Sequence, residues 1–161
     1  MQYPKGQKTY TVAEAQNRLE RYCAYQDRCH KEVKQKLTEM RMIPTAKEQI
    51  ILHLIQNDYL NESRFAQSFA RGKFKNKNWG KQRITRELKA RNISAYNIKL
   101  GLKEISEEDY LSKFHELAER RFESINERSK QKKKKKLADY LLYRGWEKHL
   151  IYDKINELFK N

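Results

Sequence analysis

Apolar residues in this chain recur three and four apart, and nowhere do they alternate in twos for long enough to form a strand. Val33 and Leu37, Phe65 and Phe69, Ile84 and Leu88, and Leu137 and Leu141 are each separated by four, which puts each pair on one helical face. Stripes of Ile51, Leu54 and Ile55, of Ile98, Leu102 and Ile105, and of Ile151, Ile155 and Leu158 continue the pattern. With only two prolines and five glycines among 161 residues, little interrupts helix formation. The spacing predicts an all-α chain whose core is these stripes.

Helix starts are legible as caps. Thr11-Val12-Ala13-Glu14 has the form of a capping box, in which the hydroxyl accepts a free first-turn amide and Glu14 reaches back. Thr45-Ala46-Lys47-Glu48, just after Pro44, predicts a second box, and Ser106-Glu107-Glu108-Asp109 a variant with a shorter acid. Asn61 and Ser94 suit two further caps.

Superposing the helices exposes a repeat. The Val33–Leu37 pair leads to Ile43 and a helix from Pro44; the Ile84–Leu88 pair leads to Ile93 and a helix capped by Ser94. The Leu137–Leu141 pair leads to Gly145-Trp146 and a last helix through Leu158. The first two pairs lie 51 residues apart and the next two 53. Adding a preceding helix to each predicts an N-terminal tail over 1–10 and three-helix repeats over 11–60, 61–106 and 107–161. None buries enough apolar area alone, so neighbouring repeats are expected to stack into an elongated array.

Charge narrows the function. Lys and Arg number 36 against 21 acids, a formal net charge of +15, which disfavours self-association and attracts polyanions; a monomer is the expectation. Between Arg71 and Arg91 stand nine basic residues (Arg71, Lys73, Lys75, Lys77, Lys81, Arg83, Arg86, Lys89, Arg91) and one acid, Glu87. Residues 75–81 read as a polar loop whose Gly80 permits unusual backbone conformations. Such cations can meet phosphates and displace counterions. Trp79 has two readings, a platform for base stacking or a cap over the junction between repeats. The second basic feature is Lys132, Lys133, Lys134, Lys135 and Lys136, expected on the first turns of a helix, where the dipole is unfavourable to cations. An anionic partner or solvent relieves that conflict, and contact by two or three of the five is expected.

Other classes lose ground. No apolar run approaches the ~18 residues of a membrane span, and Met1 to Lys5 lead into polar sequence without a secretory core, so the expected compartment is the cytoplasm. Cys23 and Cys29 are expected to be reduced structural thiols; with His30 they offer three zinc ligands where a structural site takes four. There is no phosphate-cradling glycine loop, no HExxH pair, and no nucleophile spaced to suit His30, His53, His115 or His149. Neither enzymatic activity nor a cofactor is expected.

The stretch Tyr59-Leu60-Asn61-Glu62-Ser63-Arg64-Phe65-Ala66, followed by Phe69, Arg71, Trp79-Gly80-Lys81-Gln82-Arg83-Ile84 and Glu87-Leu88, resembles the signature of the RecX family. Weaker matches flank it in order: the helix ending at Leu37 before Pro44, and Leu141-Leu142-Tyr143-Arg144-Gly145-Trp146. The resemblance covers about residues 11 to 161. It implies three tandem three-helix repeats in a curved, elongated array that binds RecA, free or as a filament on single-stranded DNA, along the filament groove. It further implies restraint of recombinase, ATPase and coprotease activities in DNA repair and the SOS response, with ATP belonging to RecA. Cys29 stands where a capping serine is common. The first repeat shows one more residue between Leu37 and Ile43 than its counterpart, and its turn is expected to differ. The five-lysine run leaves room for direct contact with single- or double-stranded DNA. Arg64 is expected to pair with Glu62 or with the next repeat. The competing class is an autonomous helical DNA- or RNA-binding module; a third is a basic RNA-associated scaffold.

Overall fold

A computed structural model describes Gly6 and residues 8–160; of the tail expected over 1–10, residues 1–5 and 7 lie outside the described residues. Among the described residues the chain forms nine α-helices and no strand, in three successive groups of three. They are α1 (Val12–Tyr25), α2 (His30–Glu39), α3 (Pro44–Gln56), α4 (Glu62–Lys77), α5 (Lys81–Ala90), α6 (Ala95–Leu102), α7 (Glu107–Ser124), α8 (Lys130–Tyr143) and α9 (Lys148–Leu158). None is long and apolar enough to cross a membrane.

Side chains close most helix starts. Thr11 accepts from the Glu14 amide at 3.1 Å, Asn61 from Arg64 at 3.0 Å, Ser94 from Asn97 at 3.2 Å and Ser106 from Asp109 at 3.1 Å. Ser129, which the sequence reading passes over, caps α8 by accepting from the Lys132 amide at 3.3 Å. The box expected at Thr45 does not form. The helix begins two residues earlier than that box implies, at Pro44 with Ile43 as its N-cap, because proline at the first position has no amide to satisfy and a preset φ. Cys29 precedes α2 without a side-chain cap bond.

The repeat is written most clearly in the helix ends. Arg41, Asn92 and Gly145 take left-handed backbone angles (φ 61°, 60° and 88°) after α2, α5 and α8. At each, the next amide reaches back across six residues: Met42 to the Leu37 carbonyl, Ile93 to Leu88 and Trp146 to Leu141, at 3.1, 3.1 and 3.2 Å. These are three copies of one Schellman cap, closed by an apolar residue. The count is therefore the same in each copy, and the extra residue expected in the first turn is absent. Met42, not Ile43, is the counterpart of Ile93 and Trp146, and Ile43 is 65% exposed.

The helices fall into two compact units, the first ending at Phe65 and the second beginning at Ala66. In the first unit Ala15, Leu19 and Cys23 of α1 meet Val33 and Leu37 of α2 and Ile50 and Leu54 of α3. The buried face of α3 is Ala46, Ile50 and Leu54, so the stripe expected at Ile51, Leu54 and Ile55 is rotated: Ile51 is half-buried and Ile55 is 44% exposed. The four-residue step that starts at Ala46 sets that face. Cys23 and Cys29 are free and buried, and burial pushes the Cys23 thiol up to about 11. Arg64 pairs with Asp27 at 2.8 Å and Asp58 at 3.1 Å, so its ion pairs lie within the first unit. It also donates to the Asp58 and Tyr59 carbonyls, which ties the α3–α4 turn to the loop after α1.

In the second unit, Ile84 and Leu88 of α5 and Leu137 and Leu141 of α8 are fully buried, and Phe65, at the end of the first unit, is also buried. Phe69 is an exception to the expected core list. It is half-buried, with its ring 6.1 Å from Trp79 in an edge-on pair, because it lies on the border of the buried α4 face. The centre of this unit is Trp146, 0% exposed, with ring centroids 4.6 Å from Tyr110, 5.4 Å from Phe114 and 6.5 Å from Phe74. Its indole N–H donates to the Asn78 carbonyl at 3.1 Å, satisfying the one polar atom the ring buries.

Candidate functional site

The basic stretch from Arg71 to Arg91 begins inside a helix. No breaker interrupts Lys75, Asn76 and Lys77, and cations near a helix C-terminus are favourable, so α4 runs through Lys77. The loop expected over 75–81 shrinks to Asn78, Trp79 and Gly80, with Asn78 turning the chain at φ 59°. Lys113 of α7 secures the turn, donating to the Lys75 carbonyl at 3.4 Å and to Asn78 Oδ1 at 3.2 Å.

Gly80 matters for a different reason than expected. Its φ of −79° is open to any residue. What excludes a side chain is proximity, since a Cβ there would lie 2.4 Å from the Gly145 carbonyl oxygen. The approach is fastened by the Gly80 amide donating to Arg144 O at 2.8 Å and the Gln82 amide donating to Gly145 O at 3.0 Å. Gly145 is doubly required, by φ 88° and by a Cβ position 2.3 Å from Arg83 Cβ. The start of α5 is thus locked to the α8–α9 turn by main-chain bonds.

A second lock lies beside it. Tyr110 accepts from the Lys81 amide at 2.9 Å and donates to the Glu147 carboxylate at 2.7 Å. Burial, with the neighbouring carboxylate, raises this phenol well above the ordinary tyrosine range, so it stays protonated and able to donate. Neither Tyr110 nor Glu147 stands out in the sequence, because their partners are 29 and 37 residues away.

These anchors divide the nine cations. Arg71 pairs with Glu104 at 3.2 Å. Lys73 lies over the Phe69 and Trp79 rings at 5.4 and 5.0 Å. Lys81 faces Glu107 at 3.7 Å and the Tyr110 ring at 4.5 Å. Arg83 contacts the rings of Trp79 and Tyr143, at 4.3 and 4.7 Å, and donates to the Tyr143 carbonyl at 3.2 Å. Arg91 pairs with Glu87 at 3.0 Å and lies over Phe69 at 4.9 Å. Lys75, Lys77, Arg86 and Lys89 are exposed, and no described acid pairs with any of them. Trp79 is half-buried between Phe69, Lys73 and Arg83, a packed position in which cations occupy its surroundings.

On α5, Lys81, Gln82, Thr85, Arg86 and Lys89 line one shallow groove of about 380 Å³. Their spacing groups them on one sector of α5 that flanks the buried Ile84 and Leu88 face. Three cations, an amide and a hydroxyl meet there with no acid among them, an arrangement suited to carboxylates or phosphate oxygens.

The five-lysine run is placed differently. Lys135 pairs with Asp139 at 2.7 Å and Lys136 with Glu127 at 3.2 Å. Lys133 lies 4.0 Å above the Phe122 ring and Lys134 5.5 Å from Phe159. Lys132 alone of the five is exposed with neither an ion pair nor a ring contact among the described residues. Partners from α7, from Phe159 just after α9 and from the Ile125–Ser129 loop thus relieve much of the conflict at the α8 start. Glu127 is held below the ordinary carboxylate range by the Ser129 amide and by Lys136.

Among the described residues no group of three His, Cys, Asp or Glu side chains is placed to hold a metal ion.

Residues 61–102 match the family model described as RecX, second three-helix domain, and residues 107–155 match RecX, third three-helix domain. A regulatory protein RecX of Yersinia enterocolitica is 35% identical over 103 residues, covering 64% of this chain and 60% of that protein. One from Clostridium acetobutylicum is 31% identical over 133 residues, covering 80% of this chain and 61% of that protein. The chain thus spans about 60% of the length of these curated relatives. The crystal structure of RecX from Lactobacillus salivarius superposes with a TM-score of 0.77 at 26% identity, covering 91% of this chain and 96% of that one. A further regulatory protein RecX structure shares the fold at a TM-score of 0.76 and 20% identity, covering 91% and 73% of the two chains. Two matched domains in series on a fold shared with solved relatives identify this chain as a member of the RecX family of regulatory proteins.

Proposed function

We propose that this chain regulates a RecA recombinase in the cytoplasm, binding RecA and its filament on DNA and restraining recombinase, ATPase and coprotease activities. It does so as a monomer, as three tandem repeats over 11–60, 61–106 and 107–161, and by binding rather than by catalysis. The observation that carries this reading is the groove on α5, with no acid in its lining, where the exposed Arg86 and Lys89 stand beside Gln82, Thr85 and the Glu107-paired Lys81. A surface locked to its own unit by main-chain bonds loses little conformational entropy on docking, so its cations can act as a preformed grip. An acidic patch on a filament protomer and the DNA phosphates offer the complementary charge. A regulator bridging neighbouring protomers in this way alters subunit exchange without chemistry of its own. Lys75, Lys77 and Lys132 extend the same positive field, steering encounter more than fixing the complex.

The test is single-strand-dependent ATP turnover by RecA with the purified chain added. Inhibition at amounts below one chain per protomer, lost at least tenfold in potency in Arg86→Ala/Lys89→Ala at unchanged helical ellipticity, is the expected result. A chain that leaves turnover untouched while binding naked DNA with undiminished affinity would be an autonomous nucleic-acid module, and the regulatory reading would fall.

A further inference from the structure

The first unit carries a feature that neither the basic stretch nor the lysine run includes. Between α1, the segment before it and the end of α2 lies an open groove of about 750 Å³. Its cations are Lys8, Arg18, Arg21, Arg28 and Lys36, with a single acid, Glu14. Its rings are Tyr10, Tyr22 and Tyr25. Arg18, Arg21 and Tyr25 follow one another at steps of three and four on the same face of α1.

The two kinds of group are interlocked. Arg18 donates to the Tyr10 hydroxyl at 2.7 Å and lies 5.2 Å from its ring. Arg28 stacks 3.8 Å from the Tyr22 ring centroid while its Nε donates to the Tyr22 carbonyl. Lys36 approaches the same ring at 5.7 Å. Tyr25 differs from the other two tyrosines. It is 83% exposed, and no cation lies over its ring among the described residues. Tyr25 thus offers an open aromatic face beside guanidinium groups, of which Arg18 and Arg28 are held in place by Tyr10 and Tyr22.

We infer that this groove on the first unit binds a single-stranded nucleic acid, its phosphates running along Arg18, Arg21 and Arg28 and a base stacking on Tyr25. A strand offers a flat unpaired base and a backbone negative charge together, and stacking on tyrosine is tolerant of sequence. A duplex presents phosphates but keeps its bases stacked on each other, so it leaves Tyr25 unused. An acidic peptide satisfies the arginines and likewise leaves the ring bare. From Thr11 to Tyr25 the helix is about 20 Å long, enough for several nucleotides. The inference rests on reading the chain as a regulator of a nucleoprotein, yet its test contains no recombinase, so the two can fail separately.

The experiment is anisotropy of a fluorescein-labelled twenty-nucleotide oligothymidylate titrated with the full chain. Arg21 and Tyr25 are exposed, so Arg21→Ala/Tyr25→Ala should keep wild-type ellipticity and melting while weakening binding roughly tenfold or more. Tyr25→Phe, which keeps the ring, should bind like wild type. Lys99→Ala, which removes one exposed charge from α6, should change affinity less than threefold. Wild-type affinity in the double variant would overturn the inference. So would equal affinity for a duplex of the same length, or displacement by poly-glutamate as effective as displacement by unlabelled oligothymidylate at matched charge. The last outcome would assign the groove to an acidic protein segment instead.

Discussion

The central basic stretch and the five-lysine run look alike as strings of cations, and the fold treats them in opposite ways. In the run, α7, the preceding loop and the residue just after α9 supply Phe122, Glu127 and Phe159, and the helix itself supplies Asp139. In the central stretch, five cations hold the unit together while Lys75, Lys77, Arg86 and Lys89 are left to solvent. Density of positive charge along a sequence therefore says little about charge offered to a partner. What counts is whether acids and rings from elsewhere in the chain reach the cations first.

The widest gap between the two regions should appear in stability. Gly80→Ala forces a methyl against the Gly145 carbonyl and should cost about 3 kcal/mol, read as a lowered urea midpoint with helicity retained below it. Should Gly80→Ala unfold at the wild-type midpoint, the main-chain lock on the central stretch is not real. Binding comes next. Neutralising Lys75, Lys77, Arg86 and Lys89 together should lower the slope of filament affinity against salt by about 3.6, at roughly 0.9 per contact, without changing the melting temperature. Converting Lys132 to Lys136 to glutamine should lower it by about 1 or less. Equal slopes in the two variants would erase the contrast drawn here.

Arg83→Ala sharpens it from the other side. Loss of the guanidinium contact with the Trp79 and Tyr143 rings should cost about 1 kcal/mol of stability, measured by thermal melting, with filament affinity changed less than threefold. The smallest effect is expected at Glu127→Gln. The carboxylate of Glu127 is held below its ordinary value of 4.5 by the Ser129 amide and Lys136. A group whose folded value is depressed stabilises fully above its unfolded value, and that stability disappears as pH falls through the folded one. Wild type should exceed the variant modestly above pH 4.5 and the two should converge below it, in paired melting curves; a gap that persists into acid would assign the effect to something other than this ion pair.

Several features were legible before any coordinates. Helix starts at Thr11, Asn61, Ser94 and Ser106 can be read because a cap involves residues within three positions of each other. The same locality makes the Ile84–Leu88 and Leu137–Leu141 pairs visible. Thr45 misled because two local signals compete there, and proline at the first helical position overrides a capping box. Counting from Leu37 to Ile43 misled because the closing residue of a Schellman cap is fixed by its hydrogen bond, here at Met42. The candidate site was legible as a region and illegible as a division between free and engaged cations. Glu104, Glu107, Tyr110 and Tyr143 decide much of that division from 26 to 60 residues away.

By itself the sequence determined the all-helical class, the repeat and the excess of positive charge, since each follows from spacing, local caps and composition. Only the tertiary structure decided which cations are spent on the protein's own rings and carboxylates. It also decided that Trp79 packs, that Gly80 is needed for close approach, and that Tyr25 stands bare beside Arg21. The reason is range. A helix and its ends are set by bonds within six residues, whereas the fate of a charged side chain depends on whichever groups the packed chain brings within a few ångströms of it.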